Sequence, residues 1–266
     1  MDTRPIGVFD SGVGGVGILS KLCQLLPNED FIYYGDSAHN PYGTRPQDEI
    51  ELICKTISRF LALKKVKLIV IACNTATAAC LDMLRDYMKD MPFIGVIESG
   101  LQSALDVTKN GIITACATKF TADSHVYKMA YEKIKNYSPK QCVVHDIGDS
   151  SNLARLIESG WQDEYDKYVE EFVEKIDPKT DTIILACTHY PYIKKVFEKY
   201  FHGNVMDPSE KLAENTKKYL IEHNLANDES HQGKDEFYTS GSPFKFAKVA
   251  SVFMKIDGKE VIKALF

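Results

Sequence analysis

The sequence predicts an α/β protein with two lobes. Short apolar runs of strand length alternate along its 266 residues with longer segments of helical character, which is the order of elements in a parallel sheet whose strands are joined by helices. A weak internal repeat is the second observation. Ile69–Thr75 and Ile183–His189 each contain an apolar run, then Ala-Cys, then two small or polar residues. Two similar halves are therefore expected.

Strands are predicted where short apolar runs stand between turn-forming residues. The first, Ile6–Asp10, leads directly into a glycine-rich turn. The others, in chain order, are Phe31–Gly35, Leu68–Cys73, Phe93–Glu98, Gly111–Ala115, Cys142–His145, Thr182–Cys187, Val205–Asp207 and Phe237–Thr239.

Helices are predicted for the longer segments between these strands. They are Gln47–Leu63, Thr75–Met88, Ser99–Thr108, Asp123–Lys135, Glu164–Ile176, Tyr192–Tyr200, Ser209–His223 and Pro243–Met254. No Gly/Ser linker or low-complexity stretch marks a boundary between the lobes, and the polar run Asn224–Asp235 is predicted to be a surface loop.

The repeat indicates how the lobes are divided. One lobe is expected at residues 1–97 plus 208–266, and the other at 98–207 between them. Each repeated cysteine, Cys73 and Cys187, stands where a strand gives way to a helix. Ligands of open α/β sheets bind at the carboxyl ends of strands, where helix N-termini supply N–H donors. We therefore expect both thiols to line one cleft shared by the two lobes.

Composition excludes several classes of function. The formal net charge is −5, so there is no basic surplus for direct nucleic-acid binding. The longest uncharged apolar stretch, Leu68–Cys73, is too short to cross a membrane, and the N-terminus does not resemble an export leader. Seven cysteines without Cys-x-x-Cys pairs argue against a disulfide framework or a metal site. Reduced thiols and a cytoplasmic location are expected.

A glycine-rich turn supports a competing function. Gly12–Gly17 fits the G-x-G-x-x-G pattern of dinucleotide-binding folds, and Asp36 ends the next strand, about where such folds place an acidic residue for the ribose. However, Asp10 and Ser11 stand between the strand and the first glycine, and a carboxylate there would repel a pyrophosphate. The glycines also suit a tight turn without any ligand, or a turn that presents Asp10 and Ser11 to a substrate ammonium and carboxylate.

The two repeated cysteines are the strongest catalytic candidates. Free cysteines are usually small buried hydrophobes, and that role is expected for the remaining five, Cys23, Cys54, Cys80, Cys116 and Cys142. At strand ends, adjacent N–H dipoles can lower a thiol pKa toward neutrality. Inverting an α-carbon without a cofactor requires one group that removes the proton and another that returns a proton on the opposite face. A thiolate and a thiol satisfy both needs.

The neighbours of the two cysteines suit the same chemistry. Asn74, Thr75 and Thr188 are placed to donate hydrogen bonds to the α-carboxylate, on which charge develops when the α-proton leaves. Asp10 and His189 are candidates for orienting each sulfur or taking its proton.

A loop after the second predicted strand contributes a further pair. Tyr42 and Gly43 follow Pro41 in a run dense in turn formers. The hydroxyl of Tyr42 and the N–H group of Gly43 are candidates for binding a substrate carboxylate.

With these residues identified, the chain closely resembles the glutamate racemases of the aspartate/glutamate racemase superfamily over nearly its whole length. The matching motifs are Gly7-Val8-Phe9-Asp10-Ser11-Gly12-Val13-Gly14-Gly15, Pro41-Tyr42-Gly43, Ala72-Cys73-Asn74-Thr75-Ala76, Gly95-Val96-Ile97-Glu98, Ala186-Cys187-Thr188-His189-Tyr190-Pro191 and Phe237-Tyr238-Thr239-Ser240-Gly241.

The resemblance implies two Rossmann-like or flavodoxin-like α/β domains with a pseudo-twofold relation and the active site in the cleft between them. It implies an isomerase that interconverts L- and D-glutamate without a cofactor, supplies D-glutamate for peptidoglycan and cell wall biogenesis, and forms a homodimer. Cys73 and Cys187 correspond to the proton donor and acceptor. The pairs Asp10-Ser11, Tyr42-Gly43, Asn74-Thr75 and Thr188-His189 correspond to substrate-binding residues.

The chain departs from the family pattern in places. His39-Asn40 stands where an arginine is common, and Ser99 where a proline is common. The stretch Cys142–Glu158 is longer than usual and contains Gly148-Asp149-Ser150. Glu158 aligns with a glutamate that assists catalysis in the family, but a solvent-facing helical glutamate would occupy this position equally well.

Three other functions remain open at the sequence level. A racemase of aspartate or another small acid would use the same mechanism. A two-lobed protein that binds an acidic amino acid without chemistry would make the paired cysteines incidental. Nucleotide binding at the glycine-rich turn is the least favoured.

Overall fold

The computed structural model describes residues 1–138, 140–149, 152–254, 256 and 259–265. The chain divides into two compact units, Met1–Val96 with Leu212–Phe266, and Ile97–Lys211. Each unit is built on its own parallel β-sheet. The predicted α/β class with two domains is therefore confirmed.

The strands are numbered in chain order. They are β1 (Ile6–Asp10), β2 (Phe31–Gly35), β3 (Leu68–Ile71), β4 (Phe93–Gly95), β5 (Ile112–Thr118), β6 (Val143–Asp149), β7 (Thr182–Ala186), β8 (Asn204–Met206), β9 (Asp235–Thr239) and β10 (Val261–Lys263).

The α-helices are numbered in the same way. They are α1 (Val16–Leu25), α2 (Gln47–Leu63), α3 (Asn74–Tyr87), α4 (Val96–Leu105), α5 (Lys119–Asp123), α6 (Val126–Ile134), α7 (Asn152–Ser159), α8 (Gln162–Val173), α9 (Lys194–Tyr200), α10 (Pro208–Glu222) and α11 (Pro243–Phe253). Short 3-10 helices cover Tyr42–Thr44, Lys135–Tyr137 and Tyr190–Ile193.

The first unit contains a six-stranded sheet in the order β10-β9-β2-β1-β3-β4. Its central strands β1, β2 and β3 are buried along their entire lengths, which explains why they are almost uninterrupted apolar runs. Every pair in the sheet is parallel, so all the carboxyl ends lie along one edge.

The second unit contains a four-stranded parallel sheet in the order β6-β5-β7-β8. The register pairs Ala117 with Ala186 and Thr118 with Asp149. Cys187, which follows Ala186, therefore leaves the sheet at the same level as Asp149. An apolar cluster that includes Leu153, Phe172 and Phe197 packs beside this sheet.

Several element boundaries differ from the sequence predictions. Ile6–Asp10, Phe31–Gly35 and Gln47–Leu63 are confirmed at both ends. The strand predicted to continue to Glu98 is wrong, because α4 already begins at Val96. Val96 and Ile97 are both buried, and a short buried apolar run does not distinguish a strand from a helix.

The helix predicted at Asp123–Lys135 begins only at Val126 as α6, because α5 ends at Asp123 and His125 between them is in the left-handed conformation at a φ of 52°. A residue in that conformation cannot continue a right-handed helix. Four of the numbered elements were not predicted, namely α1, α5, α7 and β10. In α1, the surrounding glycines obscure the helical pattern, since glycine has a low helix propensity.

Among the described residues, no helix is both long enough and apolar enough to cross a bilayer.

Candidate active site

The carboxyl edge of the first sheet gathers polar residues from neighbouring strands. Asp10 ends β1, Asp36 follows β2, Cys73 follows β3 and Ser240 follows β9. The register aligns Asp10 with Gly35 and Gly35 with Thr239, so these residues leave the sheet at similar heights.

The glycine-rich turn after β1 binds a carboxylate of the chain itself. Oδ2 of Asp10 accepts hydrogen bonds from the N–H groups of Gly12 at 3.2 Å and Gly15 at 3.0 Å, and Asp10 is fully buried. A Cβ atom on Gly15 would lie 2.7 Å from Cβ of Asp10, so only glycine permits this close approach. These are donors that a pyrophosphate would need, which argues against dinucleotide binding at this turn.

Cys73 is the N-cap residue of α3. Its backbone is extended, and its Sγ accepts a hydrogen bond of 3.4 Å from the N–H group of Ala76. Burial raises the pKa of the thiol above its usual value, and the negative charge of Asp10 raises it further. The hydrogen bonds from Ala76 and from the hydroxyl and N–H group of Ser11 act in the opposite direction. The dipoles at the helix N-terminus therefore lower the pKa as expected, but burial has the larger effect.

The other predicted residues next to Cys73 lie at the start of the same helix or beside it. Asn74 and Thr75 form the first turn of α3, and both are buried. Ser11 is also buried and contacts the thiol. The first unit thus brings together Asp10, Ser11 and Cys73.

Asp36 organises the loop that carries Tyr42 and Gly43. Its carboxylate accepts hydrogen bonds from the hydroxyls of Tyr42 at 2.6 Å and Ser240 at 2.5 Å, and Nδ1 of His39 lies 2.8 Å from it. A phenol hydroxyl can donate one hydrogen bond, and the hydroxyl of Tyr42 donates it to Asp36. Asp36 is itself buried, so it is not presented to a ribose. Tyr42 is placed to anchor the loop, and Gly43 is half-buried beside it.

The second unit brings Cys187, His189 and Glu158 together. Cys187 follows β7 and is buried, and its Sγ lies 3.9 Å from Nδ1 of His189. Nε2 of the same imidazole lies 2.7 Å from Oε1 of Glu158 on α7. The Glu158 side chain is 27% exposed while that of His189 is 3% exposed. Glu158 is therefore directed toward the histidine and is not a solvent-facing residue.

The charge state of His189 follows from these two contacts. Burial lowers the pKa of the imidazole, but the hydrogen bonds to Cys187 and Glu158, together with their charges, outweigh it. The resulting pKa lies well above the usual value of a histidine. A histidine that holds its proton therefore lies beside the sulfur of Cys187. Thr188 lies between the two residues and is also buried.

Some residues at these strand ends were not predicted from the sequence to act together. Asp36 and Ser240 hold the loop of Tyr42, and the hydroxyl of Tyr190 donates a hydrogen bond to Asp149. The available signal was their position, since each lies at or just after the end of a strand. Ser150, the last residue of the run Gly148-Asp149-Ser150, lies outside the described residues.

In the described ranges, no group of three or more His, Cys, Asp or Glu side chains is arranged to hold a metal ion.

The chain is similar to proteins of a known family over most of its length. Residues 10–216 match the family model described as Asp/Glu/Hydantoin racemase. A glutamate racemase from Fusobacterium nucleatum is 37% identical over 265 residues, which cover 97% of this chain and 96% of that protein.

Solved structures are similar over the entire chain. A glutamate racemase from Bacillus anthracis matches with a TM-score of 0.89 and 30% identity, covering 100% of this chain and 98% of that one. A glutamate racemase from Francisella tularensis, solved in complex with D-glutamate, matches with a TM-score of 0.89, 32% identity and the same coverage. With a family match that includes both strand-end cysteines and relatives that are similar over nearly their full length, this chain belongs to the Asp/Glu/Hydantoin racemase family.

Proposed function

We propose that this protein interconverts L- and D-glutamate without a cofactor, with Cys73 and Cys187 exchanging the α-proton on opposite faces of the substrate. The observation that carries the proposal is that each of these thiols has its own ionisable neighbour. Asp10 lies beside Cys73, and His189 with Glu158 lies beside Cys187. The remaining five cysteines do not follow strands in this way.

Glutamate is the substrate favoured by the comparisons. The relatives from Fusobacterium nucleatum and Bacillus anthracis are both named glutamate racemases, and the Francisella tularensis structure contains D-glutamate. Similarity of this extent supports the same substrate here. Aspartate remains the alternative to be tested.

The surroundings of the two thiols suit one of them to donate a proton and the other to accept one. The pKa of Cys73 is raised, so this residue rests as a thiol and is ready to donate a proton. The raised pKa of His189 lets the imidazole hold the proton that Cys187 gives up. The Cys187 thiolate then takes the α-proton, the Cys73 thiol returns a proton to the opposite face, and the roles are exchanged in the reverse direction.

Charge that develops on the substrate carboxylate needs hydrogen-bond donors. The N-terminus of α3, with Asn74 and Thr75 in its first turn, presents N–H groups and polar side chains next to Cys73. We propose that these residues, with Thr188 and the loop of Tyr42 and Gly43, bind the substrate and stabilise the transition state. Asp10 and Ser11 complete the set next to Cys73, and His189 next to Cys187.

The proposed physiological role is to supply D-glutamate for peptidoglycan. The mechanism requires free thiols, which persist in a reducing compartment, so a cytoplasmic location is proposed. A homodimer is proposed from the family resemblance, and light scattering coupled to size-exclusion chromatography would measure the mass in solution.

Incubation with L-glutamate in heavy water, without added cofactor, tests the reaction. We expect optical rotation to fall to zero while deuterium enters the α-position. Cys73→Ala and Cys187→Ala should each abolish racemisation, because each leaves one face of the α-carbon without a proton donor or acceptor.

Matched controls are available within the same elements. The first control is Cys80→Ala, because Cys80 lies on α3, the helix that Cys73 caps. The second is Cys116→Ala, because Cys116 lies on β5, beside the strand that precedes Cys187. Both controls should keep activity. If aspartate is turned over in preference to glutamate, the substrate is aspartate. If glutamate binds tightly without exchange of its α-proton, the protein binds the amino acid and does not racemise it.

A further inference from the structure

A buried hydrogen bond holds the turn that carries Cys187 and His189 against the last residue of β6. The hydroxyl of Tyr190 donates to Oδ2 of Asp149, and both residues are buried, with 0% and 4% exposure. Tyr190 directly follows His189, and Asp149 is the last residue of β6, upstream of α7 and Glu158. The bond therefore ties the segment of Cys187 and His189 to the strand that precedes the segment of Glu158.

The phenol is a fixed donor in this contact. Burial and the charge of Asp149 raise the pKa of Tyr190 well above its usual value, so its hydroxyl keeps its proton. The same hydroxyl lies 3.5 Å from the carbonyl oxygen of Ala117 on β5. The ring packs against Phe197 with a centroid distance of 5.7 Å. Tyr190 is thus held by two strands and one helix.

Fixing Tyr190 fixes the turn before it. The N–H group of Tyr190 donates to the carbonyl oxygen of Cys187 at 3.1 Å, which closes the turn that contains His189. The contact between Cys187 and His189 is long, at 3.9 Å. A small displacement of the turn would therefore separate the sulfur from the imidazole, and reaction rates are sensitive to displacements of about 1 Å.

We propose that Asp149 and Tyr190 are positioning residues that hold Cys187 and His189 in their reactive geometry. The expected effect of these residues on catalysis rests on the proposed function. Neither residue needs to touch the substrate, and Asp149 acts through Tyr190.

Alkylation of the individual cysteines tests the geometry without relying on activity. The purified full-length protein is treated with iodoacetamide across a pH series, and mass spectrometry follows the modification of Cys187 and Cys73 in the same sample. In Tyr190→Phe we expect the midpoint for Cys187 to move upward by about half a pH unit or more, because His189 no longer stabilises the thiolate. The extent to which Cys73 is modified at each pH should not change.

Two substitutions of Asp149 distinguish a positioning role from a direct effect of its charge on the pKa of Cys187. Asp149→Leu removes the acceptor and should also move the midpoint for Cys187 upward, whereas the loss of a nearby negative charge alone would move it downward. Asp149→Asn keeps an oxygen that can accept from Tyr190 and should remain closer to the wild type. In Tyr190→Phe, kcat should fall about tenfold with little change in KM, as expected when catalytic groups are displaced.

Tyr131→Phe is the matched control. Tyr131 is also buried in the second unit, and its hydroxyl accepts a hydrogen bond of 2.7 Å from the N–H group of Cys142, on a different segment. It should leave the alkylation of Cys187 unchanged. Unchanged midpoints and kcat in folded Tyr190→Phe, or a downward shift in Asp149→Leu, would overturn the proposal. A wild-type protein that fails to racemise glutamate would instead refute the proposed function, while the alkylation series would still decide the positioning role.

Discussion

Nε2 of His189 lies 2.7 Å from Oε1 of Glu158, which is 31 positions earlier in the chain. This contact joins α7 to the turn after β7, and it leaves Nδ1 of the same ring facing Cys187. Glu158 is therefore linked to the sulfur of Cys187 through the imidazole. The arrangement has the form nucleophile, base and orienting carboxylate that recurs in cysteine enzymes.

Glu158→Gln should lower kcat by about 10-fold to 100-fold, less than the loss expected for a group that itself transfers the proton. Removing the carboxylate charge removes one cause of the raised pKa of His189. The limb of the pH–rate profile that depends on His189 should therefore move to lower pH. Initial rates of racemisation between pH 5 and 10 would measure both effects.

Glu164→Gln, at an exposed position in the first turn of α8, is the control for loss of a surface carboxylate. It should match the wild type. If Glu158→Gln kept both kcat and the pH profile, Glu158 would have no part in the reaction.

Asp10→Asn should have opposite effects on reactivity and on turnover. The charge of Asp10 raises the pKa of Cys73, so its removal lowers that pKa and speeds alkylation of Cys73 at neutral pH. Racemisation should nevertheless fall by about 100-fold, because the group proposed to assist proton transfer at this sulfur is lost. Alkylation followed by mass spectrometry, with Cys187 as the internal reference, would be compared with optical rotation. A slower modification of Cys73 would show that Asp10 does not act through its charge.

Tyr42→Phe should raise KM more than it lowers kcat. The substitution takes one donor away from the buried carboxylate of Asp36 and should lower the free energy of unfolding by about 1–2 kcal/mol. The loop that carries Gly43 would then be less well held. Urea unfolding and saturation kinetics with glutamate would measure the two effects.

Tyr200→Phe is a suitable comparison, since its hydroxyl also donates to a carboxylate, that of Asp166 at 2.5 Å, in the other unit of the chain. It should leave KM unchanged. A normal KM in a destabilised Tyr42→Phe would restrict Tyr42 to a role in stability.

Asp181→Asn should destabilise the second unit in a pH-dependent way. The carboxylate accepts hydrogen bonds from the hydroxyl of Thr108 at 2.6 Å and from the N–H groups of Lys109 at 2.7 Å and Asn110 at 2.8 Å. Burial opposes the charge, but these hydrogen bonds outweigh it and lower the pKa of Asp181 below 3.8.

A lowered pKa in the folded state means that the stabilisation is present at neutral pH and is lost as the pH falls through the folded value. The difference in unfolding free energy between wild type and variant should be about 1–2 kcal/mol at pH 7 and should disappear in strongly acidic solution. Denaturant titrations at several pH values would measure it. Asp163→Asn, exposed on α8, should show no such trend, and a constant difference for Asp181→Asn would contradict the prediction.

The sequence by itself was sufficient for the class of fold and for the positions of the two repeated cysteines at strand ends. β1 and β2 were predicted at both ends because buried parallel strands are continuous apolar runs that stop at polar or glycine residues. Cys73 and Cys187 were identified because the repeat places both at strand ends. These are local patterns, which can be recognised in the sequence without any knowledge of packing.

Contacts between distant segments were decided only by the tertiary structure. The sequence could not show that Glu158 contacts His189, that the hydroxyl of Tyr42 donates a hydrogen bond to Asp36, or that the hydroxyl of Tyr190 donates one to Asp149. Each contact depends on which strands are neighbours in the sheet. The start of α4 at Val96 also depended on packing, since propensity favoured a strand there. The pKa of Cys73 is raised rather than lowered because burial, a property of the folded chain alone, outweighs the local N–H dipoles that the sequence made visible.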